Sequence, residues 1–346
     1  MKALDAALAF LDAAPFDHEV AKAKALIIGY NLQWSEKYAA YAVVAAEEEF
    51  RFPLINPDTE GMSKTFDEAG KIDLVLRHKA SGRHVLVEHK TTSDSIEPGS
   101  DYWDKLAMDT QCSKYILAWR QRGHDIGNLL YDVIHKPGSR PRQIPTLDED
   151  GKKIVLDASG ERVKTKDGKK WRESGDTELG YVLQTTQETP EQYFERLKSE
   201  IEADPSRYFA QREVPRFDSD LLEYMSDAWA LSQQILIYRR ANLWPRNPAA
   251  CSAFGTCEFF DLCAGRASVD GIRYRESVKH RELSANEEGK ELLTNSRLTA
   301  LRKCARYHFH RYEKPIEPVK EESDALRFGT LMHNAMEAYF NALKVA

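Results

Sequence analysis

The side chains with the clearest chemistry are two carboxylates and a lysine: Asp73 in Gly70-Lys-Ile-Asp73-Leu-Val-Leu, and Glu88 and Lys90 in His84-Val-Leu-Val-Glu88-His-Lys90-Thr. Strand side chains alternate, so Glu88 and Lys90 share a face while Val85, Val87 and His89 take the other. Gly70 opens a turn, Ile72 to Leu76 form an apolar run, and His78 to Gly82 is the hairpin loop leading to the Glu88 strand. Two hard oxygen ligands thereby converge beside one ammonium. The pair suits Mg²⁺ or Mn²⁺, ions that prefer carboxylates and keep waters, and such an ion furnishes a nucleophile near neutral pH. Lys90 is placed to orient that water or to offset transition-state charge. The chemistry these residues fit is metal-assisted phosphodiester cleavage. The competing reading is an exposed hairpin with a cross-strand ion pair.

A second constellation is sulfur. Cys251, Cys257 and Cys263 are evenly spaced in a segment broken by proline and glycine, and Cys304 is the candidate fourth thiol, because only Cys112 otherwise remains. Four thiolates hold a [4Fe–4S] cluster or a structural zinc.

These residues resemble the PD-(D/E)XK nuclease superfamily, and within it the RecB-like branch, whose lysine strand commonly reads much like Val87-Glu88-His89-Lys90-Thr91-Thr92. That branch carries a Gln-x-x-x-Tyr helix after the lysine, supplied here by Gln111 and Tyr115 on one helical face. By resemblance these two contact the nucleic-acid backbone or brace the active site. Members such as the CRISPR-associated exonucleases and the AddB nuclease domains clamp the core with an iron–sulfur cluster. That role falls here to Cys251, Cys257, Cys263 and Cys304, although the spacing departs from the common short C-x-x-C step. The resemblance also makes His333, in Gly329-Thr-Leu-Met-His333-Asn-Ala-Met-Glu337, a metal ligand beside Asp73 and Glu88, with the His89 backbone carbonyl as a further one.

The order of the pieces is unusual. In the family the Ser-x-Leu…Cys segment and the histidine helix open the domain, whereas here Ser296, Leu298, Cys304, Tyr307 and His333 close it. The expectation is a circularly permuted domain in which the first helix, Met1 to Leu11, continues Ala335 to Ala346. The rival is a tandem arrangement in which residues 290–346 open a second unit.

The fold implied is α/β: a restriction-endonuclease-like core of a mixed central sheet flanked by helices, circularly permuted, with a helical cysteine-cluster region. Residues 1–346 form one domain in this reading. Residues 1–49 are helical, with the first strand at Phe50 to Ile55, and 50–136 hold the catalytic sheet and the Gln111 helix (Asp101 to Arg122). Residues 137–179 are a surface hairpin insert. Residues 180–270 carry the last strand (Gly180 to Thr186), helices and the cysteine cluster, 271–293 a linker, and 294–346 the permuted segment.

The net charge of −6 argues against a generally basic coat, so contact with DNA must come from local patches. The strongest is 297–314, where Arg302, Lys303, Arg306 and Tyr307 lie close to Cys304 and are the candidate DNA contacts. No apolar run approaches the ~20 residues of a membrane span, and no signal peptide is evident. The expected location is therefore the cytoplasm of a bacterial or phage-infected cell. The function expected is a DNA nuclease, an exonuclease on single strands or DNA ends in recombination, repair or phage replication. The alternative is a catalytically inactive DNA-binding or assembly module. Protein partners stay open.

Overall fold

The computed structural model describes residues 2–253, 255–281, 283, 289–319 and 324–344. Helices α1 (Lys2–Asp12) and α2 (His18–Ala39) come first, and the Asp17 carboxylate caps α2 by accepting from the amides of Glu19 and Val20 at 3.0 and 2.9 Å. Strands β1 (Tyr41–Ile55), β2 (Met62–His78) and β3 (His84–Thr92) form an antiparallel meander. Helix α3 (Thr110–Gln121) then crosses to β4 (Asn128–His135), parallel to β3. Helix α4 (Pro190–Ala203) opens with a Thr189 capping box and proline at its first position. Strand β5 (Phe209–Pro215) pairs antiparallel with β4, and α5 (Asp218–Ala241) follows. The last part holds β6 (Glu291–Leu293), α6 (Asn295–Lys303) and α7 (Asp324–Lys344).

The result is a mixed sheet in the order β1-β2-β3-β4-β5, with β6 added parallel to β2. Helices cover both faces. One face packs Phe50, Ile72, Val75 and Leu86 against Tyr115, Ile116 and Trp119 of α3 and Tyr224 and Leu231 of α5. The other packs Leu74, Leu76 and Val87 against Leu26, Ile27 and Tyr30 of α2 and Phe328, Met332 and Phe340 of α7. Apolar side chains on both faces are what a helix-covered strand requires.

Four expectations are corrected. Helix does not run to Glu49: it ends at Ala39, and β1 starts at Tyr41. The residues from Ala45 to Glu49 favour helix by propensity, but pairing with β2 overrides that preference. Gly70 is no turn either. It lies inside β2 with the Phe50 ring against it, where an added Cβ would approach Phe50 Cζ to 2.6 Å. The last sheet strand is Phe209–Pro215 rather than Gly180 to Thr186, which contributes instead to small two-stranded pairs, Gln143–Pro145 with Thr185–Gln187 and Val155–Leu156 with Val182–Leu183. Finally, the 271–293 stretch contains β6 and the strand Tyr274–Glu276, paired with Ile316–Pro318; residues 282 and 284–288 of it lie outside the described residues.

Candidate active site

The site forms where β2 and β3 part. Their register runs from Arg77 opposite His84 to Leu74 opposite Val87 and then stops, while β3 continues beside β4 as far as Thr92. At the parting point the Asp73 carboxylate accepts the His89 amide at 2.8 Å, so a side chain takes the place of the missing ladder bond. Farther along, the same edge of β2 is taken by β6, opposite Phe66 to Glu68. Between the two neighbours, β2 leaves an opening at 69–73.

Across that opening the core-facing register of β2 changes phase. Phe66 and Ile72 belong to the α3 side, then Val75 does, while Leu74 and Leu76 belong to the α7 side. Strict alternation would keep Ile72 and Leu74 together. On β1, Ala46 pairs with Leu74 and Glu48 with Ile72, which places Glu47 opposite Asp73, and Glu47 has a left-handed φ of 53°. The kinked ribbon thus brings two acids to a place that α7 can reach from the opposite face. His333 Nε2 lies 2.8 Å from Glu47 Oε1, and one ligand atom from each of Glu47, Asp73 and His333 falls within 4.8 Å of the others. Lys71 Nζ contacts the second Glu47 oxygen at 2.5 Å. Although burial works the other way, His333 and Lys71 hold the Glu47 carboxyl below its usual range. The hydrogen bond to Glu47, opposed by burial and helped by Asp73, raises His333.

Glu88 is buried on β3 and its Oε1 accepts from Lys90 Nζ. Burial first, then the Asp73 charge, pushes its pKa up to about 8, against the opposing pull of Lys90. Lys90 is itself held above its ordinary value by Glu88 and Asp73 despite its own desolvation. The second oxygen, Glu88 Oε2, is buried with no hydrogen-bond partner among the described residues. Glu88 stands outside the group formed by Glu47, Asp73 and His333, yet near enough to Asp73 for the two charges to interact; its orphaned buried oxygen and that oxygen-rich set with one imidazole fit Mg²⁺ or Mn²⁺. Glu47 is the site residue that the sequence reading lacked. Its flanks, Val43-Val44 and the alternating Phe50 and Phe52, are strand-like, but the register that sets it against Asp73 is not written locally.

Gln111 and Tyr115 act on this group from α3, whose N-terminus is capped by Asp109. Lys90 Nζ donates to Gln111 Oε1 at 3.2 Å, Gln111 Nε2 donates to the Tyr115 hydroxyl at 2.7 Å, and that hydroxyl donates to the Lys71 carbonyl at 2.7 Å. The neighbouring Lys114, fully buried, donates to the Leu293 carbonyl at 2.6 Å and the Ala69 carbonyl at 3.5 Å, and sits 3.4 Å from Glu68. One helix therefore satisfies the backbone that the opening in the sheet exposes, and holds the lysine of the site in the same stroke. Behind β3, His89 stacks on Phe340 at 5.3 Å and approaches the buried Asp132 at 3.2 Å, a carboxylate that also accepts from Tyr30 and Tyr38.

Cys251, Cys257, Cys263 and Cys304 line one cavity, with Phe259, Tyr307 and Lys303. Cys251 ends the turn Pro248–Cys251, Cys263 ends the short helix Phe260–Cys263, and Cys304 follows α6. The Asn247 amide donates to the Cys304 sulfur at 3.3 Å. Burial raises Cys263, and the three other thiols add to the shift. Cys112 is apart, buried within α3. Of the expected DNA contacts, Arg302 pairs with Asp227 at 3.1 Å, Arg306 Nε donates to the Trp244 carbonyl at 2.9 Å, Lys303 lies over the Tyr307 ring, and the Tyr307 hydroxyl donates to Glu258 at 2.6 Å. All four have partners within the fold.

No helix of the described residues is long and apolar enough to cross a membrane. No curated relative matches the sequence. The PD-(D/E)XK nuclease superfamily matches it over residues 2–263 and 293–346, a span that takes in the diverging strands, the α3 glutamine and tyrosine, the histidine helix and all four cavity cysteines. With an acid–lysine pair on a strand that splays from its neighbour over an opening backed by helix, geometry and sequence agree that the chain belongs to the PD-(D/E)XK nuclease superfamily.

Proposed function

We propose that this nuclease is a metal-dependent deoxyribonuclease of the RecB-like branch, an exonuclease on single strands or DNA ends serving recombination, repair or phage replication. The observation that carries the reading is the convergence of Glu47, Asp73 and His333 within 4.8 Å beside the Glu88–Lys90 pair. Asp73, Glu88 and His333, joined by Glu47 and the His89 carbonyl, hold one or two Mg²⁺ or Mn²⁺ ions. The bound ion supplies Lewis acidity and a water nucleophile. Glu88 would bind such an ion as the carboxylate, the cation's charge offsetting the burial and the Asp73 repulsion that raise its pKa. Lys90, fixed between Glu88 and Gln111, stays charged through neutral pH and orients the attacking water or offsets charge on the phosphate. Gln111 and Tyr115 act as positioning residues for that ammonium.

Two finer readings belong with this one. The chain is a single permuted domain: Ala3, Ala7 and Leu11 of α1 share a core with Met336, Tyr339 and Phe340 of α7, and the histidine and fourth thiol come from the segment that the family places first. The four thiols that line one cavity hold a [4Fe–4S] cluster, with a structural zinc as the alternative. The cluster is structural, because hydrolysis needs no electron transfer.

The test is one preparation, purified anaerobically, spread over two measurements. With Mn²⁺, the wild type shortens end-labelled single-stranded DNA from its ends, and Lys90→Ala lowers the rate at least ~100-fold. Visible absorbance is the same in both. Retained cleavage by Lys90→Ala removes the assignment of the site, and a colourless wild type removes the cluster.

A further inference from the structure

Beside the catalytic strand lies a groove of about 900 Å³ that none of the roles above uses. Its walls are the stretch after β3, with Ser93 and Ser95, the chain after β4, with Ser139, and the turn into β5 together with β5 itself, with Arg207 and Arg212. Its position relative to the site follows from register. Glu88 pairs with Tyr131 and Tyr131 with Arg212, so the three occupy one row across β3, β4 and β5 with their side chains on one face. Two strand spacings separate the ends of that row, about 10 Å. The groove therefore runs on from the face that bears Glu88 and Lys90.

Its chemistry is that of a polyanion's bed. Arg207 and Arg212 are exposed, and neither is paired with a carboxylate among the described residues, whereas Arg302 is committed to Asp227. The Arg212 guanidinium lies over the Trp103 ring at 5.0 Å, with Trp103 itself fixed through its indole N–H to the Ile96 and Glu97 carbonyls at 3.1 Å each. A stacked guanidinium has a set orientation and keeps its in-plane donors free for phosphate. Four serines and Gln211 add neutral polar groups beside apolar side chains such as Ile96 and Pro98, and Glu97 is the acid among the lining residues. The aromatic side chains there, Trp103 and Tyr208, are buried, which favours contact with backbone over stacking on bases.

We infer that this groove holds the phosphates of the nucleic-acid strand next to the one being cut, with Arg212 and Arg207 as the cationic contacts. The inference deepens the nuclease reading and rests on it for the identity of the polyanion. It moves the strand's path from the basic stretch around Cys304, where Arg302 is paired with Asp227 and Arg306 donates to the Trp244 carbonyl, to the β5 side of the sheet.

The experiment measures binding of fluorescein-labelled (dT)12 and (dT)3 in Ca²⁺ over a range of salt, for the wild type, Arg207→Ala/Arg212→Ala and Arg207→Lys/Arg212→Lys, with cleavage in Mn²⁺ recorded alongside. The alanine pair should weaken (dT)12 at least fivefold, lower the salt slope by about 1.4 for two lost phosphate contacts, and weaken (dT)3 far less, so that the preference for length collapses. The lysine pair should restore the salt slope, since the charge is kept, but only part of the affinity, since an ammonium lacks the stacked, in-plane donors. Unchanged (dT)12 affinity, or equal weakening of both oligonucleotides, overturns the groove. A wild type that prefers the longer strand but cuts neither would leave the groove standing and remove the nuclease reading; one that cuts, with alanine variants binding normally, does the reverse.

Discussion

On the proposed ligand set, His333 and Glu47 put a proton and a metal ion in competition for one site. The Glu47 hydrogen bond, against the pull of burial, raises the histidine, and imidazolium cannot ligate. Metal affinity should therefore climb with pH until His333 has lost its proton and level off above that point, because each ion bound below it must displace one proton. Mn²⁺ titrations by calorimetry from mildly acid to mildly basic pH check this. In His333→Asn the slope of log affinity against pH should fall by about one, and an unaltered slope would rule the histidine out as a ligand. Glu88, raised by burial and Asp73, adds its own proton to the same balance, so the pH dependence of the His333 variant should be reduced and not abolished.

At the level of elements, α3 does two jobs from little more than one helical turn: Gln111 and Tyr115 fix Lys90, and the buried Lys114 fills the opening in β2. Lys114→Met should cost about 3–5 kcal/mol, since it leaves Glu68 buried beside Tyr224 without its cation and strips the Leu293 carbonyl of a donor. Urea denaturation of the metal-free protein measures it, and a loss near zero would mean that the ion pair contributes nothing net. How much of this was legible in the sequence follows the range of each interaction. Strand β4 and the capped helix at Pro190 depend on local periodicity and capping, and these were readable, as was the alternation that sets Glu88 and Lys90 on one face; His333 came from the family resemblance and not from periodicity. Glu47 was not, because Ala45 to Glu49 speak for helix and only the partner strand speaks for β1. Strand β5 was missed for a similar reason: Phe-Ala-Gln-Arg-Glu-Val-Pro is a polar edge, recognisable as sheet only once β4 is beside it. The phase change between Ile72 and Leu74 breaks the alternation on which strand reading depends.

Over the whole molecule, both candidate centres are assembled from distant stretches of chain. Three thiols precede β6 and one follows α6, so a bound cluster ties the α5–α6 region to the segment that carries α7. Cys304→Ala should abolish visible absorbance and lower Tm in anaerobic scanning calorimetry, with the far-ultraviolet spectrum of the nuclease sheet retained; an unchanged Tm would separate the thiols from the stability of the fold. An ionic clamp lies in the same region: Arg239 on α5 bridges Glu291 and Glu313 at 2.7 Å each, and the buried Arg297 reaches both acids. These contacts, after burial is offset, pull Glu291 down to about 2, so they persist above its unfolded value and weaken only as strong acid protonates it.

The order in which the ribosome delivers these parts has a bearing on safety inside a cell. Glu47 and Asp73 emerge early, and the imidazole that lies with them comes only with α7. On the ligand set proposed above, a half-made polypeptide has its hydrolytic centre unfinished until α7 docks against the sheet.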